Sequence, residues 1–215
     1  MMRPKVKQLR SLSVGRPTPE KAEQLTSDIL HVATEVFLEN GFKRAKISDI
    51  IARVGGSKGT IYARYPTKSD LFIAVIDQEN DVLHEHFVRA LSTKLPLQKV
   101  LEEFGITLLE AIYSVDIVNL IRILSAESKQ FPDLARKFLT SGPLHAIKML
   151  SECLAKHPEF KGSSPTEAAE FYCALFWGTF IFHHLLDRKY SPKRSVAKPM
   201  LKSAVRLFLA AYGRR

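Results

Sequence analysis

Apolar side chains in this chain recur at spacings of three and four, as in Leu25, Ile29, Ala33, Val36 and Phe37, and show no sustained alternation with polar ones. The first rhythm places apolar groups along one face of a helix with 3.6 residues per turn, whereas a half-buried strand needs a period of two. No Asn-Gly or Asp-Gly turn separates two β-branched runs, so hairpin signals are missing as well. The chain is therefore predicted to be all-α.

Helix punctuation is dense in the first third. Thr18 can cap a helix that has Pro19 at its first position and Glu20 in its first turn, and Asn40-Gly41 is the expected end of that helix. A short helix over 46–54 follows, with Ile47, Ile50 and Ile51 facing inward, and Gly55-Gly56 breaks it. Ser57 caps a third helix reaching Tyr65, which Pro66 closes, and Thr67-Lys68-Ser69-Asp70 has the form of a capping box opening a fourth. Further helices are predicted near 81–94, 97–113, 115–130, 133–156, 165–187 and 196–212. A shift in composition near residue 80 divides the chain into a basic arm at 1–17, a small helical domain at 18–80 and a larger helical domain at 81–215.

Charge narrows the function. The 215 residues carry 32 Lys and Arg against 22 Asp and Glu, a formal net charge of +10, which favours a polyanionic partner. The N-terminus lacks the apolar stretch of a secretory signal. The longest run without Asp, Glu, Lys or Arg, 171–186, is too short to span a bilayer, which takes ~20 residues. Cys153 and Cys173 have neither the number nor the spacing of a disulfide framework or a zinc knuckle, so a reducing, cytoplasmic setting without membrane attachment is expected. His84-x-His86 and His183-His184 sit at spacings that aim neighbours to different sides of a helix, and no metal or other cofactor is expected. With no P-loop, GxSxG or HExxH, no enzyme activity is expected.

Two short helices around a glycine turn form a helix-turn-helix pattern, whose second helix can enter a DNA major groove. Between residues 41 and 68 seven basic residues (Lys43, Arg44, Lys46, Arg53, Lys58, Arg64, Lys68) face one acid, Asp49, a local charge of +6. The third helix, SKGTIYARY, has Ile61 as its one aliphatic anchor. Its polar positions are expected to point outward, with Gly59 letting the backbone come close to a ligand.

These residues resemble the DNA-binding domain of the TetR family of bacterial transcriptional regulators. The resemblance runs over 30–76 and rests on Gly41-Phe42, Asp49-Ile50 and SKGTIYARYPTKSDLF, with Ile29, Ala33 and Phe37 fitting its first helix. It implies phosphate contacts at Thr60, Tyr62 and Lys68, positions at or near base edges at Ser57, Lys58, Gly59 and Arg64, and a base-reading position at Ser48. Two departures stand out: Ala45-Lys46 replaces the usual Ser or Thr that caps the second helix, leaving Lys46 as a point charge there, and Gly56 replaces an apolar turn residue.

AESKQFPDLARKF, 126–138, is similar to the AefR-like subgroup, which implies a C-terminal domain that dimerises through its last two helices and often binds a small molecule. Apolar stripes Phe171, Leu175, Thr179, Phe182, Leu186 and Leu201, Val205, Phe208 suit a homodimeric four-helix bundle. Candidates to line a ligand cavity are Phe104, Tyr113, Asn119, Glu127, Phe176, Trp177 and Phe180, although aromatics at helical spacing serve equally as plain core. The expected partners are a palindromic double-stranded DNA operator, a second copy of the chain and a small-molecule effector whose binding releases a repressor. An effector-independent dimeric DNA-binding structural protein is the alternative.

Overall fold

The computed structural model describes residues 18–55, 57–187 and 194–213, with the side chains of residues 179, 180, 181, 184 and 194 left aside. The expected arm at 1–17 and the departure at Gly56 lie outside these residues, as do the side chains of Thr179 and Phe180. Among the described residues there are ten helices and no strand. They are α1 (Pro19–Arg44), α2 (Ile47–Val54), α3 (Lys58–Tyr62), α4 (Lys68–Ala90), α5 (Leu97–Tyr113), α6 (Val115–Glu127), α7 (Pro132–Ser141), α8 (Pro143–Lys156), α9 (Pro165–Leu186) and α10 (Arg194–Tyr212).

Local chemistry sets most of the helix starts. The Thr18 and Ser57 hydroxyls each accept an amide of the helix they cap, and Ser114 and Ser164 do the same for α6 and α9. At α4 the capping box is complete: Asp70 N–H donates to Thr67 Oγ1 at 3.1 Å and Thr67 N–H to Asp70 Oδ2 at 2.9 Å. Asn40-Gly41 is a kink rather than a stop, because Gly41 at φ 74° and ψ 165° turns the chain and one more turn follows to Arg44. That backbone region is open to glycine and strained for other residues.

Several expected boundaries differ; α3, for one, ends at Tyr62 rather than Tyr65. Instead of ending near residue 80 and restarting, α4 runs unbroken from Lys68 to Ala90, because no Gly or Pro interrupts it. The single helix expected over 133–156 is two: Gly142 leaves helical geometry at φ −110°, ψ −96°, and Pro143 opens α8 at its first position.

Two cores result. The first contains the head, with Ile29, Val36, Phe37, Phe42, Ile50, Ile61, Leu71 and Phe72, and takes in Ile117, Leu120 and Leu124 of α6 and Leu134 and Phe138 of α7. Residues of α6 and α7 in the larger body are thus packed into the same apolar cluster as the head. The second core joins α5, α8, α9 and α10 around Tyr172, which is fully buried and donates its hydroxyl to the Leu101 carbonyl at 2.6 Å. Burial pushes that phenol's pKa far above its ordinary value, so it stays a donor.

Gly105 gives this core a testable tight spot. A Cβ there would meet Leu201 Cδ1 in a clash and the Tyr172 hydroxyl at 2.7 Å. Gly105→Ala gains up to ~1 kcal/mol of helix propensity but incurs roughly 1–3 kcal/mol of overpacking, so a net loss of stability in urea unfolding is the expected result. A stabilised variant would show that α10 yields freely.

Candidate nucleic-acid interface and internal cavity

The head presents α3 on its surface. Ile61 anchors the helix inward, while Ser57, Lys58, Gly59 and Tyr62 are exposed and Thr60 is half-buried. Ser57 Oγ lies 2.9 Å from Thr60 Oγ1 and accepts the Thr60 amide at 3.2 Å, so that amide is already engaged. Lys46 occupies the α2 cap position in extended geometry with no side-chain cap bond, and it is exposed. Ser48 is exposed too and donates to Asp49 Oδ1 at 3.3 Å.

Four cations in the basic segment have jobs inside the chain, among them Arg44, whose Nε donates to the Asn40 carbonyl at 3.2 Å. Arg53 forms a two-pronged pair with Glu39, at 3.1 and 2.6 Å, which lowers the Glu39 carboxyl below its usual range and cancels one of the positive charges counted for the head. Arg64 Nη1 donates to the Thr60 carbonyl at 3.2 Å. Lys68 is half-buried: its Nζ donates to the carbonyls of Lys43 and Ala45 at 3.0 and 3.1 Å and lies 4.9 Å from the centre of the Phe42 ring. Burial holds its pKa below the ordinary lysine value, with Glu127 opposing the shift. The position expected to touch phosphate thus ties the end of α1 to the start of α4.

Below the head, residues of α4 to α9 line a partly open cavity of about 410 Å³. Among the described residues its walls are chiefly aliphatic and aromatic, including Phe87, Phe138 and Trp177, with Asn80, His84, Ser125, Ser141 and His145 as polar lining side chains. Asn80 Nδ2 donates to Ser141 Oγ at 2.9 Å, and His145 Nε2 meets His84 Nδ1 at 3.1 Å across α8 and α4. Burial, then the neighbouring His84 and Lys148, keep the His145 pKa below its usual value, against an opposing pull from Glu152.

Residues 99–214, more than half of the chain, match the family described as the AefR-like transcriptional repressor, C-terminal domain. Residues 29–75 match the bacterial regulatory proteins of the tetR family. This chain belongs to the TetR family. It is 31% identical over 75 residues to the transcriptional regulator TtgR of Pseudomonas putida, a stretch covering 35% of each chain, so it spans about a third of that relative's length. Among solved structures, the flavonoid-responsive regulator FrrA is 26% identical with a TM-score of 0.75, covering 90% of this chain and 99% of that one. A TetR-family regulator from Pseudomonas syringae pv. tomato shares the fold, at a TM-score of 0.69 and 22% identity over 92% of this chain and 99% of its own.

In this TetR-family chain the residues expected to line a ligand site are distributed differently from the expectation. Of them, among the described side chains, Trp177 reaches the cavity wall. Phe104 and Phe176 are fully buried against Phe87 and Tyr172 in the second core; Phe104 stands one turn before the cavity-lining Leu108 on the same face of α5, and Phe176 is one residue round α9 from Trp177. Tyr113 packs on that core, Asn119 accepts a hydrogen bond from Arg122 at 2.9 Å, and Glu127 ends α6 near Lys68. The residues missed, Asn80, His84 and His145, left one local sign: Asn80 and His84 interrupt the apolar face Ile76, Leu83, Phe87 of α4. His84 and His86 do face apart, His86 pairing with Glu110 at 3.0 Å.

The stripes assigned to dimerisation split. Phe171, Leu175, Phe182 and Leu186 of α9 are exposed, Phe182 at 69% and Leu186 at 84%, which leaves an unpartnered apolar row on the TetR-family body. On α10, however, Val205 and Phe208 are buried in the chain's own core and Leu201 packs against it. The outward apolar residues of α10 are Val196 and Leu207 instead. The TetR-family helix carries apolar groups on two faces, and spacing alone does not say which meets its own body. Both cysteines are buried, and burial raises the Cys173 thiol to about 12, which suits packing rather than redox chemistry. Among the described residues no single helix is long and apolar enough to cross a membrane, and no group of three or more His, Cys, Asp or Glu could hold a metal ion.

Proposed function

We propose that the chain is a homodimeric, operator-binding repressor whose hold on DNA is released by a small molecule in the α4–α9 cavity. The observation that carries this reading is α4 itself: its first turn is fastened to the head through Lys68 and its middle, at Asn80, Leu83, His84 and Phe87, walls the cavity. A ligand that binds better to one placement of α4 than another shifts the heads by that difference in affinity; a hundredfold preference corresponds to about 2.7 kcal/mol. FrrA is described as flavonoid-responsive, which supports a small molecule as the signal here. The cavity also argues against the effector-independent alternative, for which a solid core is expected.

Lys46, Ser48, Ser57, Lys58, Gly59, Thr60 and Tyr62 form the surface offered to DNA, with Lys58 at a base edge or phosphate and the Tyr62 hydroxyl at a phosphate. Two recognition helices related by a two-fold axis and set about 34 Å apart would read a palindrome. Selection of bound duplexes from a random pool at ~0.15 M salt tests the operator-binding part of this reading, since that salt suppresses non-specific attraction. A palindrome is the expected result, and recovery of no motif overturns it.

The head makes sharper predictions. A Cβ added at Gly59 meets nothing nearer than Ser57 Oγ at 3.7 Å, so Gly59→Ala should keep or raise thermal stability while obstructing the approach of DNA. Operator affinity is expected to fall about tenfold, or ~1.4 kcal/mol, by titration of the selected duplex. Lys58→Ala should cost roughly 1–3 kcal/mol of the same affinity without loss of helix content. Unchanged affinity in both variants would remove α3 from the groove.

A further inference from the structure

The lining of the cavity has a chemical bias that goes beyond its existence. Among the described residues around it there is no Lys, Arg, Asp or Glu. A full charge brought into such a space loses its hydration with no countercharge to replace it, which is costly. What the walls do offer is aromatic surface from Phe87, Phe138 and Trp177, and one concentrated polar feature at the cavity's edge, the contact between exposed His84 and half-buried His145.

That contact has a useful symmetry. Two neutral imidazoles joined by one hydrogen bond use one N–H and one lone pair, so the outer nitrogen of one ring is left a donor and that of the other an acceptor. Moving the bridging proton, with the matching tautomer shift in each ring, exchanges these roles. The same ring edge can therefore accept from a hydroxyl or donate to a carbonyl. Nearby, the Asn80 amide is fixed by Ser141 and adds a second polar group on the α4 wall. Leu139 and Leu144, both half-exposed cavity residues flanking the α7–α8 break at Gly142, give an apolar way in.

We infer that the cavity takes an uncharged, ring-bearing, mainly apolar molecule with a hydroxyl or carbonyl group, and that the His84–His145 pair recognises this group. The inference rests on the effector reading above, to which it adds the ligand's chemical class and the residues that select it. Burial, then the neighbouring His84 and Lys148, hold the His145 pKa below its usual value, a direction that agrees with a neutral ligand. At about 410 Å³ the cavity lies toward the small end of ligand pockets, which run from ~300 to 1,000 Å³.

Trp177 is the chain's single tryptophan and lines the cavity, so its fluorescence reports occupancy without a label. The full chain is titrated with four matched probes: 4-phenylphenol, biphenyl, biphenyl-4-carboxylate and biphenyl-4-trimethylammonium, with calorimetry as a second readout. 4-Phenylphenol is expected to bind at least tenfold more tightly than either ion. In His145→Leu and in His84→Leu its advantage over biphenyl should vanish while biphenyl affinity holds within about threefold, and thermal melting checks that each variant folds. Tightest binding by the carboxylate or the ammonium, no binding by any probe, or a hydroxyl preference that survives both substitutions would overturn the inference. Loss of phenol and biphenyl binding together would overturn the role given to the pair. A separate titration of the selected duplex with probe present tells the two readings apart: occupancy that leaves DNA affinity unchanged upholds the cavity chemistry and overturns the effector reading.

Discussion

Phe42→Ala is expected to lower the unfolding free energy by about 3–5 kcal/mol, the range for deleting a fully buried aromatic ring. The ring is 2% exposed and sits among Phe72 at 5.0 Å, Phe131 at 4.7 Å and Phe37 at 6.0 Å. Removing it also leaves the Lys68 ammonium without the aromatic face beneath it. Urea unfolding at fixed protein concentration measures the effect, and a change under about 1 kcal/mol would mean that the site collapses and refills. Because Phe131 belongs to the α6–α7 connection and Phe42 to the end of α1, a double-mutant cycle between them reads the head-to-body contact directly. An interaction of about 0.5–1.5 kcal/mol is expected for an edge-to-face pair.

The second large effect concerns assembly. Phe171→Glu combined with Phe182→Glu should convert the protein from dimer to monomer in sedimentation, with little change in the melting of each chain's helices, because neither side chain is buried within its own protomer. Two carboxylates facing their symmetry mates across an apolar seam would be desolvated without partners. Operator affinity should then fall by about 10²–10⁴, the advantage that linking two half-site contacts confers. A double variant that still sediments as a dimer would move the interface off α9. The corresponding change Val205→Glu is expected to unfold the body, since Val205 is part of its core.

What is legible in the sequence is whatever acts over a few residues. Thr18, Ser57 and the Thr67–Asp70 box are caps whose partners lie three positions away, and all three form as read. The Gly142-Pro143 break has its own local sign but stands inside a run whose apolar spacing continues across it. Functional chemistry depends on longer connections. His84 and His145 are 61 residues apart, and Lys68 finds its carbonyls 25 and 23 residues back, so no spacing rule brings either set together. The inward turn of Val205 and Phe208 is decided by Tyr172 and its neighbours on other helices. Composition points to a basic head, yet it counts Arg53 as free charge when Glu39, just ahead of the segment, neutralises it.

The unbroken course of α4 bears on how such proteins can be recombined. A crossover at residue 80 would join two half-helices from different parents and bring together head and α6 side chains that had never been selected to interlock. Ile117, Leu120 and Leu124 would have to travel with the head, though they follow it by dozens of residues. Chimaeras that trade only the DNA-reading segment should therefore express poorly or lose their response. Those that carry α4 to Ala90 and the inner face of α6 along with it should inherit a working seam, so that a new operator preference arrives already matched to its body.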